Sequence, residues 1–199
     1  MFYTYMFNFL GFWIFLYVLW KRLKDDYLPS QVFTLGIYMS VGIALFAFLA
    51  HEFLPVYWFW LSLSGAALGL LLGIIRFKLR FYESLEATTA ALVPWLSFVF
   101  LADSIKNSSW FSFAMFIFLT LLTVVYVFVS KGYKNFSWYR SGRVGVAALI
   151  VLGVFFLVRA VVAQVFPFVL SFAGKGESIL SAAVSFIIFM AIFNLSRQI

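Results

Sequence analysis

Long hydrophobic runs alternate with short polar segments along the whole of this chain. Seven of the runs are long enough to cross the hydrocarbon core of a bilayer, which takes about 20 apolar residues in a helix. No long linker, low-complexity segment or obvious repeat separates them. The pattern predicts an all-α, polytopic membrane protein in which residues 1–199 form a single domain of seven transmembrane helices. The predicted helices are 2–20, 31–50, 57–77, 85–102, 110–130, 144–165 and 179–195.

The basic residues between these runs fall mostly on one side of the predicted bundle. If the helices alternate in direction, eleven Lys and Arg residues share that side, whereas the other side has only Lys106 and Lys175. The positive-inside rule then predicts an N-terminus outside and a C-terminus in the cytoplasm. The eleven are Lys21, Arg22, Lys24, Arg76, Lys78, Arg80, Lys131, Lys134, Arg140, Arg143 and Arg197.

Composition agrees with a membrane protein and excludes several kinds of site. The chain is 65% hydrophobic and 11% charged, whereas a soluble domain averages roughly 25% charged residues. Because the cations of the net +7 charge lie in short clusters between apolar runs, we expect no nucleic-acid partner. The chain has no cysteine and a single histidine. We therefore expect no disulfide, no metal site and no bound cofactor.

Glycines recur every fourth residue in the third predicted helix, at Gly65, Gly69 and Gly73. A face of small residues lets two helix backbones approach closely in a membrane. The face has two interpretations, which are a tight contact between helices and a surface against which a lipid head group or acyl chain lies. We expect the third and fourth helices to be the pair around which the other helices pack.

Arg159 is the one cation predicted to lie within a transmembrane helix. It lies about 24 Å from the cytoplasmic end of its helix at 1.5 Å per residue, in the outer part of the bilayer. A charge there is usually paired, wetted or functional. One interpretation is that Arg159 extends to the outer surface, as Arg does readily. The other is that its guanidinium binds a lipid phosphate through two hydrogen bonds.

The other polar candidates lie at helix ends. His51 and Glu52 follow the second helix on the outer side, and Asp103, Lys106 and Asn107 follow the fourth. A solvated interfacial residue is the favoured interpretation of His51 over a catalytic base, and the default role of the second group is to terminate the helix and hydrate the loop. On the cytoplasmic side, acids at the start of the fourth helix are expected to complement its dipole; they are Glu83 and Glu86. These residues alone do not define a reaction.

Several short segments, taken in order, resemble the prolipoprotein diacylglyceryl transferases. Most lie at helix ends, and together they run nearly the length of the chain. The segments are FLGF at 9–12, LWKR at 19–22, SGAALG at 64–69, FYESLE at 81–86, DSIKN at 103–107, SGR at 141–143 with Gly153 beyond it, and KGESILS at 175–181.

The resemblance implies a bacterial inner-membrane protein with seven helices, an outer N-terminus and a cytoplasmic C-terminus. The family moves diacylglyceryl from phosphatidylglycerol to the lipobox cysteine of a prolipoprotein. By this resemblance Arg159 would neutralise the phosphate leaving group, and Asp103 or His51 would lie near the acceptor. The lipid would contact a further group of residues, and the partners would be a phosphatidylglycerol-like phospholipid and a prolipoprotein signal peptide. The lipid-contacting residues would be Gly65, Gly69, Lys106 and Asn107.

The chain departs from the family pattern at its charged positions. Phe100 stands where the family has an Arg on the fourth helix, and Phe156 and Ala160 stand where it has an Arg and a Glu on the sixth. The alternative hypothesis is therefore a non-catalytic subunit that binds lipid or another membrane protein. Its outer cavity would either be filled by side chains such as Phe100 and Phe156, or hold lipid with no nucleophile activator nearby. A transporter or channel is less favoured, because ion pathways usually need several buried ionisable groups.

Overall fold

The computed structural model describes residues 2–132, 146–166, 171–173 and 176–197. These ranges contain seven helices that are long and apolar enough to cross a membrane, as the hydrophobic pattern predicts. Helix α4 begins and ends several residues beyond its predicted run, and residues 144–145 of the sixth run lie outside the described part. The helices are α1 Phe2–Leu23, α2 Pro29–Phe53, α3 Trp58–Phe77, α4 Phe81–Asn107, α5 Trp110–Gly132, α6 Val146–Val165 and α7 Glu177–Arg197.

Tight turns join the first five helices and reverse the chain direction at each step. Pro29 is the first residue of α2, where its missing N–H costs no helical hydrogen bond. Lys78 and Ser108 end α3 and α4 in the left-handed conformation, with φ of 54° and 50°, which is a common way to stop a helix. The C-terminal ends of α1, α3 and α5 consequently lie at the same end of the bundle.

We call this the basic end, because seven of the described cations lie there. Two hydrogen bonds confirm that its segments meet. The Tyr27 hydroxyl accepts from the Arg80 backbone N–H at 3.0 Å, and Arg22 donates to the Ser130 hydroxyl at 3.3 Å. The side of the membrane that this end faces stays a prediction. The cations are Lys21, Arg22, Lys24, Arg76, Lys78, Arg80 and Lys131.

The glycine face of α3 packs directly on the backbone of α2. A Cβ atom on Gly65 would overlap the carbonyl group of Gly42, and one on Gly42 would overlap that of Gly65. A Cβ on Gly69 would stand 2.5 Å from the carbonyl oxygen of Tyr38 and 2.6 Å from the Cα of Met39. Of the two interpretations of this face, the helix contact is the one that the structure contains.

The expectation that α3 and α4 form the central pair is wrong. Helix α3 packs chiefly on α2, and α4 packs chiefly on α1 and α5. Helix α4 is central, because its first half is buried on several sides. The buried residues there include the small side chains Ala87, Ala90 and Ala91. Helices α6 and α7 form a further pair, in which the Ser185 hydroxyl donates to the carbonyl oxygen of Gly153 at 2.9 Å.

Candidate functional site

A buried ion pair lies at the end of the bundle opposite the basic end. Arg159 of α6 and Glu177, the first residue of α7, are 1% and 0% exposed. The Arg159 Nε donates to Glu177 Oε1 at 2.9 Å, and one terminal guanidinium nitrogen lies 2.8 Å from the same oxygen. A buried pair of this kind needs further hydrogen bonds on both partners to offset its loss of hydration.

Glu177 has those further partners on three different segments. The indole Nε1 of Trp60, in α3, donates to Oε2 at 2.8 Å, and the backbone N–H of Ala173 donates to the same oxygen at 3.0 Å. The Ser181 hydroxyl, one turn along α7, donates to Oε1 at 2.6 Å. Both carboxylate oxygens are therefore occupied, and the carboxylate links α3, α6 and α7.

Arg159 is equally occupied on its other side, by Ser171. One terminal nitrogen donates to the Ser171 hydroxyl at 2.7 Å, and the other donates to the Ser171 carbonyl oxygen at 2.6 Å. Residues Ser171, Phe172 and Ala173 are non-helical, yet they are only 0%, 5% and 7% exposed. The guanidinium thus binds two oxygens of one residue side by side, as it would bind two oxygens of a carboxylate or phosphate.

Aromatic rings enclose the guanidinium on the sides that make no hydrogen bond. Its central carbon lies 3.8 Å from the ring centre of Phe59, 4.9 Å from that of Phe172 and 5.8 Å from that of Phe155. Cation–π contacts of this kind stabilise a cation by about 2 kcal/mol when the site is dry. We call Arg159, Glu177, Ser171 and these three rings the arginine cluster.

Arg159 is paired, as the sequence predicts for a charge within an apolar helix, but its partner is Glu177 of the same chain. The side chain does not extend to the surface, because it is 1% exposed. Its hydrogen bonds go to Glu177 and Ser171 of the same chain, which occupy the donors that a lipid phosphate would need. Two acids are buried as well, since Glu177 and Glu86 are 0% and 5% exposed.

Asp103, the second candidate, lies in the C-terminal part of α4, close to the start of α5. One of its carboxylate oxygens accepts a very short hydrogen bond from Ser112, and the other accepts from the Asn107 side chain at 2.7 Å. The Ser109 hydroxyl accepts from the Ser112 backbone N–H at 3.3 Å. These contacts fasten the end of α4 to the start of α5. Of the two roles considered from the sequence, catalytic or helix-terminating, they agree with the helix-terminating one.

His51, the third candidate, is a surface residue at the end of α2. Its side chain is 85% exposed and lies 3.4 Å from the carboxylate of the neighbouring Glu52. Lys106 and Asn107 are exposed at the end of α4, whereas Gly65 and Gly69 are buried against α2. His51 and Asp103 share no hydrogen-bond partner with Arg159 among the described residues. The residues that the resemblance marks as catalytic or lipid-binding thus lie in separate places and do not form one site.

Glu86 departs from the sequence expectation, because it is buried rather than exposed at the helix start. It is 5% exposed, and Tyr126 of α5 donates its hydroxyl proton to Glu86 Oε1 at 3.2 Å. The guanidinium carbon of Arg22 lies 4.9 Å from the centre of the Tyr126 ring. A narrow cleft without room for a water molecule lies beside Tyr126; its lining residues are Thr89, Ala90, Val93, Thr123, Tyr126 and Val151.

Glu83 lies in the first turn of α4 beside Arg80, where the sequence predicts an acid at the helix start. The Arg80 guanidinium donates to Glu83 Oε1 at 2.9 Å, and the Tyr27 hydroxyl donates to Oε2 at 2.8 Å. Tyr27 lies in the loop between α1 and α2, outside the spanning segments. Burial raises the pKa of its hydroxyl, and the neighbouring Glu83 carboxylate raises this pKa further. The cluster joins two loops at the basic end.

Sequence patterns gave no direct signal for the partners of Arg159. Glu177 and Ser181 lie within the KGESILS segment, so the resemblance marks this stretch without assigning either residue a role. Ser171 is a single polar residue between Leu170 and Phe172, and Trp60 is one of many aromatic residues near helix ends. Their convergence depends on the packing of α3, α6 and α7. SGR at 141–143 and Lys175, which also belong to the resemblance, lie outside the described residues.

Comparison of the chain with family models, curated proteins and solved structures gave no match in any of the three. The likeness to the prolipoprotein diacylglyceryl transferases therefore stays a prediction from the sequence segments. The class of protein that the fold defines is a multi-pass helical membrane protein, with seven spanning-length helices in the described ranges.

Proposed function

We propose that this chain is a non-catalytic membrane subunit that keeps the bundle of the prolipoprotein diacylglyceryl transferases and binds lipid or a partner protein. The observation that carries the proposal is the occupied state of Arg159, whose donors go to Glu177 and Ser171 in a 1% exposed site. A group that stabilises developing charge must have its donors aimed at the reacting atoms. The donors of Arg159 are aimed at its own chain.

The phenylalanines at two family arginine positions support the same proposal. Phe100 and Phe156 are 0% and 3% exposed, and both belong to one hydrophobic core cluster. The Phe156 ring stacks on Trp60 at a centre distance of 5.6 Å. Filling of the bundle by these two rings is what the non-catalytic hypothesis predicts from the sequence.

A divergent transferase is the second candidate, and one observation favours it. The resembling segment 175–181 contributes Glu177 and Ser181 to the same cluster as Arg159. Polar residues of one resembling segment thus converge with Arg159 at one end of the bundle. Under this candidate the guanidinium must leave Glu177 and Ser171 before a phosphatidylglycerol phosphate can bind to it.

The proposed location is the inner membrane of a bacterium, with the N-terminus outside and the basic end in the cytoplasm. Support comes from the resemblance and from the seven cations at that end, since Lys and Arg are retained on the cytoplasmic side. A reporter fused to the C-terminus tests the orientation. Alkaline phosphatase activity there would contradict it, and green fluorescence from a fused fluorescent protein is the expected result.

Complementation of a strain depleted of its diacylglyceryl transferase tests the proposed function. Expression of this chain is expected to leave growth and prolipoprotein processing defective, whereas a plasmid-borne transferase restores both. An immunoblot of the membrane fraction must show the chain at a level comparable to the transferase. Rescue by the wild-type chain would reject the non-catalytic proposal, and loss of that rescue on Arg159→Ala would favour the transferase candidate.

A further inference from the structure

The described stretch Ser171–Ala173 is non-helical and buried, so its backbone polar groups depend on partners other than those of a regular helix. Each residue has a carbonyl oxygen and an N–H group that must find a partner once water is removed. The Ser171 carbonyl oxygen accepts from Arg159 at 2.6 Å, and the Ala173 N–H donates to Glu177 at 3.0 Å. One charged residue thus satisfies the acceptor and the other satisfies the donor.

We propose that Arg159 and Glu177 form a clamp that holds Ser171–Ala173 inside the bundle by hydrogen bonding to the Ser171 carbonyl oxygen and the Ala173 N–H. The two charges then have a role beyond neutralising each other. With the clamp closed, the stretch is buried, and the guanidinium that holds it lies against the Phe59 ring. With the clamp open, these two backbone groups lose their charged partners, so the stretch moves to water.

The clamp is a conformational device because its two halves lie on different helices. Arg159 projects from α6, and Glu177 is the first residue of α7, where Trp60 of α3 also contacts it. Opening of the clamp separates the start of α7 from α6. Such openings are local and cost less than unfolding of the whole bundle.

A competing explanation is that the pair only balances charge. Replacement of both members of a buried ion pair by apolar residues of similar size is often neutral or stabilising. The variant Arg159→Met with Glu177→Leu should then be as closed as the wild type. The clamp predicts the opposite, because this variant leaves the Ser171 carbonyl oxygen and the Ala173 N–H without partners.

Labelling of a single cysteine separates the two explanations, since the chain has no native cysteine. Ala173→Cys in the full-length protein, reconstituted in liposomes, is to be reacted with a hydrophilic maleimide. The apolar pair variant is expected to raise its labelling rate on the order of 10-fold, because unpartnered buried peptide groups favour opening by about that factor. Gly176→Cys reports a freely labelled position, since no atom lies within 4 Å of a Cβ there.

Two further variants keep the outcome decisive if the pair variant folds poorly. Ala148→Cys, at a 0% exposed position of α6, must stay unlabelled in the same background, which excludes general unfolding. Ser171→Ala removes one acceptor of Arg159 and leaves the ion pair intact, and we expect it to raise the labelling of Ala173→Cys about 3-fold or more. Unchanged labelling of Ala173→Cys in both backgrounds would overturn the clamp.

Discussion

Arg159 contacts a single carboxylate oxygen of Glu177 through two of its nitrogens, at 2.9 and 2.8 Å. The sharing leaves the second carboxylate oxygen free to accept from Trp60 and from the Ala173 backbone. It also leaves guanidinium donors for Ser171. The contact therefore organises the α3, α6 and α7 end of the bundle, and it is the reason to assign Arg159 an internal role.

The first prediction concerns the loss of one partner of the pair. Arg159→Ala or Glu177→Ala is expected to destabilise the protein by about 3–5 kcal/mol, because the remaining charge stays buried and uncompensated. Denaturant unfolding of the purified protein in mild detergent measures the change. Lys106→Ala, at an exposed cation, serves as the control and should change stability by less than about 0.5 kcal/mol. Equal effects of the three variants would contradict a buried pair.

The second prediction concerns the glycine contact between α2 and α3. Gly69→Ala is expected to cost about 1–3 kcal/mol, because the new methyl group meets the backbone at Tyr38 and Met39, which cannot move as a side chain can. Gly153→Ala should cost less, since its Cβ meets the end of the Phe189 ring at 3.0 Å. Gly176→Ala has no close neighbour and is the control. If all three variants unfold alike, the contact is not as close as described.

The third prediction concerns the loop cluster at the basic end. Tyr27→Phe removes the hydrogen bond to Glu83 and the one accepted from Arg80, and should destabilise the protein by about 1–3 kcal/mol. Limited proteolysis of the loop between α1 and α2, read by mass spectrometry, should speed up in parallel. Tyr5→Phe, at a 72% exposed tyrosine, is the matched control. Equal proteolysis of the two variants would show that the Tyr27 hydroxyl does not hold the loop.

The fourth prediction is the pH dependence of this cluster. Burial and the Glu83 carboxylate raise the pKa of Tyr27 above its ordinary value of about 10. The contribution of Tyr27 to stability is then complete below pH about 10 and is lost as pH rises through the raised pKa. The stability difference between wild type and Tyr27→Phe should shrink in that alkaline range. A difference that grows with pH would contradict the assigned proton donor.

The fold could be predicted from the sequence because the signal for each helix is local. Each spanning run carries its own hydrophobicity, and turn residues such as Pro29 mark the breaks. The choice of helix partners is not local. The glycine pattern of α3 predicts a close contact, but only the facing Gly42 identifies α2 as the partner. The central position of α4 is not local either, because it depends on other helices packing against several of its faces.

The arginine cluster could be predicted only in part. A charge within an apolar run identified Arg159, but its partner Glu177 looks like an ordinary acid at a helix start. Glu86 looks the same, although it is buried beside Tyr126. Burial of an acid depends on the helices packed around it, and a single sequence does not contain that information. Ser171 could not be identified from the sequence, because one of its contacts with Arg159 is made by the backbone carbonyl oxygen. Every residue type has that group.

Transfer of diacylglyceryl in a reconstituted system tests the central claim most directly. The purified chain in phosphatidylglycerol liposomes, with radiolabelled lipid and a lipobox peptide, is compared with a known transferase in the same liposomes. Because the donors of Arg159 are occupied by Glu177 and Ser171, we predict no labelled peptide above protein-free liposomes, while the transferase labels it. Labelled peptide formed by the wild-type chain and lost on Arg159→Ala would contradict the account.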